Sequence, residues 1–222
     1  MRTRPEIKAL AKEAMRAQYG TAVLLFVVYI LMSIVFGIPD ALAKHTQSTA
    51  LNTLYVIASW GGIIVLYVII INMFGEYIKI YKREKAGAGA LFSGLKVNFF
   101  RKLGGFLWMG LWIFLWSLLL IIPGIIKTFA YYCAPYILAD CPNVTATDAL
   151  KISMRITHGH KWEIFVFGIS FIGWFLLSLL TLGLLWIFYV GPYYFTAISG
   201  LYVELRDKAL AEGIITPQDL GM

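Results

Sequence analysis

Apolar residues in this chain gather in long runs, and the polar positions fall between them in short amphipathic stretches. A transmembrane helix needs about 20 predominantly apolar residues. Runs of that kind extend from Tyr19 to Ile38, from Thr53 to Phe74, from Leu103 to Ile122 and from Trp162 to Leu182. After Pro123-Gly124 the apolar character continues to Ala139, and after Gly183 it resumes from Leu184 to Leu205. Pro123 lacks an N–H and biases Ile122 away from helical angles, while Gly124 permits a tight reversal. One helix over 104–139 would be about 54 Å long, far more than the roughly 30 Å hydrocarbon core. The pattern predicts a hairpin at Pro123-Gly124 and an all-α, polytopic membrane bundle of six transmembrane helices.

Each pair of predicted spans follows an amphipathic stretch. The pairs Ala9-Leu10, Ala90-Leu91 and Ala149-Leu150 open these stretches, and Arg16, Lys96 and Arg155 follow soon after. Read as a repeat, this gives three units of interfacial helix plus two spans, at 3–76, 86–140 and 144–205, inside one integral membrane domain covering 1–222. Simple alternation of amphipathic and apolar segments is the competing explanation. In the third unit, Thr145 and Asp148 form a capping pattern. Ala149, Ile152 and Ile156 fall on one face, and Lys151, Arg155 and His158 on another. Such a helix is expected at headgroup level, its basic face toward anionic lipid or a protein partner.

Composition narrows the function classes. Of 222 residues, 60% are hydrophobic and 14% charged, with mean hydropathy +0.76. Those values exclude an ordinary soluble enzyme or a free nucleic-acid binder. Two cysteines exclude a disulfide scaffold. The net charge of +7 gains meaning from its placement. With six spans and both termini inside, every Lys and Arg except Lys44 and Lys127 falls on the inner side. A single span over 104–139 would put Lys151, Arg155 and Lys161 outside. Ala41-Leu42-Ala43 resembles a signal cleavage site, but the apolar run before it is longer than a signal peptide's.

Candidate chemistry is sparse. His158-Gly159-His160 with Cys141 is a conceivable ligand set, yet the spacing suggests a helix end at Gly159, and no metal or cofactor is expected. No Gly-rich phosphate loop, H-E-x-x-H, G-x-S-x-G or C-x-x-C occurs, so enzyme activity is not expected. Lys127 is expected to snorkel to the outer interface. Glu76 and Lys79 read as a local pair, and Asn72 as a helix-packing hydrogen bonder. Trp108, Trp112 and Trp116 repeat along one helical face. Gly191-Pro192, flanked by Tyr189, Tyr193 and Tyr194, should kink the sixth span. A cavity lined by Trp112, Lys127, Tyr132, Pro192 and Tyr193 is the candidate pocket, with plain packing as its rival. Ala58/Gly62 and Thr196/Gly200 are small-residue pairs that predict close helix contacts, within the chain or in a homo-oligomer.

Several of these residues carry a resemblance. Leu115-Trp116-Ser117, Ile122-Pro123-Gly124 and Tyr136-Ile137-Leu138-Ala139-Asp140 are followed by Ala149-Leu150, Ser153, Gly159 and Trp162, then by Ser170 to Trp174 and Gly191-Pro192-Tyr193. Together they resemble the bacterial integral membrane family catalogued as domain of unknown function 975, most strongly over 115–205. The spacing is also similar to the membrane domain fused to some glycerophosphoryl diester phosphodiesterases. The resemblance implies a bacterial cytoplasmic-membrane protein without an assigned activity, and it transfers no catalytic residue. The sequence therefore predicts a multi-pass accessory or scaffold that touches anionic lipid or a partner at its cytoplasmic face. The alternative is a carrier or export component for an amphipathic solute, lipid or peptide.

Overall fold

The computed structural model describes residues 1–96 and 98–221, and all regular structure among them is helical. The order is α1 (Arg4–Ala17), α2 (Tyr19–Ala43), α3 (Thr49–Tyr81), α4 (Ala90–Lys96), α5 (Phe99–Leu119), α6 (Ile121–Ala130), α7 (Ala134–Asp140), α8 (Ala146–Ile156), α9 (Lys161–Ile169), α10 (Ile172–Leu180) and α11 (Gly191–Ala211), with a π-helical turn over Trp186–Val190. Four helical stretches are long and apolar enough to cross a membrane: Tyr19–Ala43, Thr49–Tyr81, Ile121–Asp140 and Lys161–Leu180. This is the character of a helical membrane protein.

The hairpin after α5 exists, but it turns earlier than Pro123-Gly124. Leu120 adopts extended angles, φ −161° and ψ 144°, and α6 begins at Ile121. Pro123 sits in the first turn of α6, where a missing N–H removes no helical bond. Gly124 serves close approach rather than reversal: a Cβ there would lie 2.1 Å from Ser117 Oγ. Further along, a Cβ on Gly105 would meet Leu138, and Arg101 bonds the Leu138 and Cys141 carbonyls. Residues 117 with 124, 105 with 138 and 101 with 141 are antiparallel partners in one register. The chain from Ile121 to Asp140 therefore runs back along α5.

The core lies where the inner portions of α3, α7 and α11 meet. Tyr136 of α7 stacks on Tyr202 of α11 with centroids 5.3 Å apart, and Phe74 of α3 lies 4.6 Å from Tyr136. Tyr77 stacks on Phe195 at 5.7 Å and donates to the Ala22 carbonyl at 2.8 Å. The glycine of each small-residue pair is in close contact within the chain, while Ala58 is exposed. Gly62 receives the Phe36 side chain of α2, and Gly200 receives the Tyr81 ring of α3.

The amphipathic helices dock onto this core instead of lying free at its edge. The apolar stripe of α1, Ile7, Ala11, Ala14 and Met15, is buried against α11 and α3. Helix α4 packs on α3, and α8 on α7 and α5. Lys8 of α1 donates to the Ser170 carbonyl at 3.0 Å, and its ammonium lies 4.0 Å from the Phe171 ring centre. That carbonyl sits at the break between α9 and α10, so the predicted fifth span is two helical segments. Leu182 (φ 51°) and Gly183 (φ 84°) then reverse the chain. Gly183 donates to the Ser178 carbonyl at 2.9 Å, which closes the end of α10.

Candidate functional site

Helix α8 starts as its sequence requires. The Thr145 hydroxyl oxygen accepts from the Asp148 N–H at 3.2 Å and the hydroxyl donates to the Asp148 carboxylate at 2.7 Å. That donation, with Lys151 beside it at 3.2 Å, holds the Asp148 carboxyl below its ordinary range. The buried face is Ala149, Leu150, Ile152, Ser153 and Ile156. Ser153 donates to the Ala130 carbonyl at 2.8 Å and accepts from the Cys133 N–H, which pins α8 across the break between α6 and α7.

This docking joins residues that the sequence had placed on opposite sides. Trp108, Trp112 and Trp116 of α5 form one wall of a groove of about 420 Å³, closed by Tyr131 and by Leu150, Lys151 and Met154 of α8. Lys127 also lines it. Its ammonium lies 5.0 Å from the Trp116 ring centre and 5.7 Å from that of Tyr131, and 3.6 Å from Met154 Sδ. Lys127 was expected to reach an interface by snorkelling; its ammonium lies among Trp116, Tyr131 and Met154. Trp116 and Tyr131 offer it cation–π contact beside α8. The site is amphipathic: an indole wall exposed to the membrane side and two ammonium groups at its edge. Lys151 has Asp148 as its only ion-pair partner among the described residues, and Lys127 has none.

The remaining candidates go elsewhere. Arg155 pairs with Asp219 at 3.3 Å and donates to the Ile214 carbonyl, so it clips the C-terminal segment to α8. His158 is exposed beside it and borders a shallow depression with Lys151, Met154 and Ile214. Tyr132 donates to the Ile198 carbonyl at 2.7 Å and lines a separate cleft with Phe129 and Phe167. Pro192 and Tyr193 are buried, Tyr193 packing on Phe171 and Trp174. The expected shared cavity of Trp112, Tyr132 and Tyr193 does not form, because α6 and α7 diverge at Tyr131–Cys133 and send neighbouring tyrosines to different faces. The kink before Gly191 takes the form of the π-helical turn, with Phe26 filling the space at Gly191. His160 is held by Glu163 at 2.6 Å and Lys208 at 3.0 Å.

One feature escaped sequence reasoning. Glu76, Asp140 and Glu204 are evenly spaced along the chain and lie on α3, α7 and α11. Glu76 accepts from Lys79 at 2.6 Å and from the Gly87 N–H at 2.8 Å. Asp140 accepts from Lys82 at 3.2 Å, from Arg206 and from the Tyr202 hydroxyl at 3.4 Å. Glu204 accepts from Arg2 at 2.5 Å and from the Tyr81 hydroxyl at 3.3 Å. Only the pairing of Glu76 with Lys79 was expected. The equal intervals were the readable signal for the others.

No curated protein and no solved structure matches the chain. Residues 118–209 are similar to a family described as Protein of unknown function (DUF975), a match that runs from the end of α5 through α8 to the last turns of α11.

Proposed function

We propose that this chain is a six-span, multi-pass protein of a bacterial cytoplasmic membrane, with both termini inside, which works without catalysis as an accessory or scaffold and holds an anionic lipid at its inner face. The observation that carries the reading is the groove in which Trp112, Lys127 and Lys151 meet. An indole wall takes apolar glycerol and acyl groups, and paired ammonium groups take a headgroup phosphate. The inward bias of the Lys and Arg residues outside the α5–α6 hairpin supports the orientation, and Lys127, on the hairpin, reaches α8. The succession of a short docked helix and two longer helical passages, with Glu76, Asp140 and Glu204 at equal intervals, supports three related units. The test is stabilisation by lipid. Protein in nanodiscs containing phosphatidylglycerol should unfold at a higher temperature than in pure phosphatidylcholine. Lys127→Gln and Lys151→Gln should each shrink that difference. An equal difference in the wild type and in the double variant would remove the groove as the lipid site.

A further inference from the structure

A second, polar cavity of about 320 Å³ lies near the start of α5, between α3, α4, α5 and α7. Its inner wall holds Lys102, only 8% exposed. The Lys102 ammonium donates to Asn72 Oδ1 and lies 3.5 Å from the Gly94 carbonyl. Asn72 is oriented for this by donating its own N–H to the Leu91 carbonyl at 2.8 Å. Among the described residues no carboxylate pairs with Lys102. Beside it, Arg101 spends its terminal nitrogens on the Leu138, Cys141 and Val144 carbonyls, and its Nε is buried with no partner. Of the three acids that line the cavity, Glu76 is engaged by Lys79 and Asp140 by Lys82 and Arg206, while Glu84 is exposed at its edge. A buried cation without a counter-charge is costly unless something neutralises it. Helix α5 adds to the local positive field: it begins at Phe99, and Asn98, in the left-handed region at φ 57°, gives its first turn no side-chain cap.

We infer that this cavity is a binding site for a phosphate group, with Lys102 as its buried cation. The group is either free phosphate or a lipid headgroup phosphate entering past the exposed rim residues Ser93 and Asn98. The inference is independent of the tryptophan groove, which lies on the α8 side of α5.

The experiment uses the full chain in a neutral detergent and reads the unfolding midpoint. Inorganic phosphate should raise the midpoint with saturation, at matched ionic strength against chloride. If phosphate has no effect but short-chain phosphatidylglycerol does, the source is a lipid. Ser93→Trp fills the rim without removing a charge, and should abolish the response while leaving the midpoint in chloride unchanged. Lys102→Met should abolish it too, whereas Lys127→Gln should preserve the response to inorganic phosphate. A response to neither probe in the wild type overturns the inference. So does a phosphatidylglycerol response that survives Ser93→Trp but disappears with Lys127→Gln, which would leave only the tryptophan groove.

Discussion

At the scale of single residues, the structure depends on a few close approaches and a few charges held away from water. Gly200 is one of the tight approaches inside the core, since a Cβ there would lie 2.3 Å from the Tyr81 ring. Gly200→Ala should destabilise the protein by about 1–3 kcal/mol, because Tyr81 can give way only by losing its bond to Glu204. An unchanged midpoint in chemical denaturation would contradict that contact. Asp140 is the hub of the inner charge cluster, and Arg206, its partner, is 7% exposed. Asp140→Asn leaves Arg206 with Asp207 alone. Breaking a buried pair in this way costs about 3–5 kcal/mol, so it should lower stability more than Asp148→Asn at the exposed start of α8. Equal losses would show that the cluster is solvated. The local contacts were legible in the sequence, as with Glu76 and Lys79, or Asn72 as a packing hydrogen bonder. Pairings across distant chain segments, such as Arg2 with Glu204, carry no local pattern.

At the scale of elements, hydrophobic runs located the helices well but not their ends. Between Ile164 and Leu182 there is no proline or charge that would announce the break at Ser170. A lysine from the first helix supplies the partner that the broken helix needs, so the break is a tertiary effect. The surroundings of Lys127 were not legible for a related reason. Sequence alone shows an ammonium near a turn, not the aromatic wall and docked helix that hold it. The C-terminal segment is a further element invisible to periodicity. Asp219 accepts from the Thr216 N–H at 2.8 Å and pairs with Arg155. The Thr216 N–H, with Arg155 nearby, holds its carboxyl below the ordinary 3.8. A depressed folded-state value means the contribution is present above the ordinary value and is lost as pH falls through the depressed one. Amide protection factors over 214–221 should therefore be high at neutral pH and fall on acidification below 3.8, ahead of those in α11. Arg155→Gln should reduce them at neutral pH as well. Protection independent of both would mean that the buried Ile215 and Leu220 alone hold the segment.

At the scale of the whole molecule, packing is lopsided. The inner portions of α3, α7 and α11 are buried, while the distal parts of the helices display leucine and isoleucine outward, Leu182 being 95% exposed. Exposed apolar surface on that scale marks a membrane or protein contact surface. A single cysteine introduced at Leu182 should react with a membrane-impermeant maleimide from the outside of intact cells, and one at Gln218 only after the membrane is opened. The reverse pattern would invert the orientation. What neither hydropathy nor charge bias disclosed is the meeting of Trp112, Lys127 and Lys151, because it depends on α8 docking against a hairpin that turns at Leu120. The most direct test of an inner-face lipid site is native mass spectrometry of the protein extracted gently from its own membrane. Retention of anionic phospholipid in defined stoichiometry, reduced when Lys127 and Lys151 are both replaced by glutamine, is the predicted result. A bare chain, or neutral and anionic lipids retained in proportion to their abundance whatever the residues at 127 and 151, would contradict it.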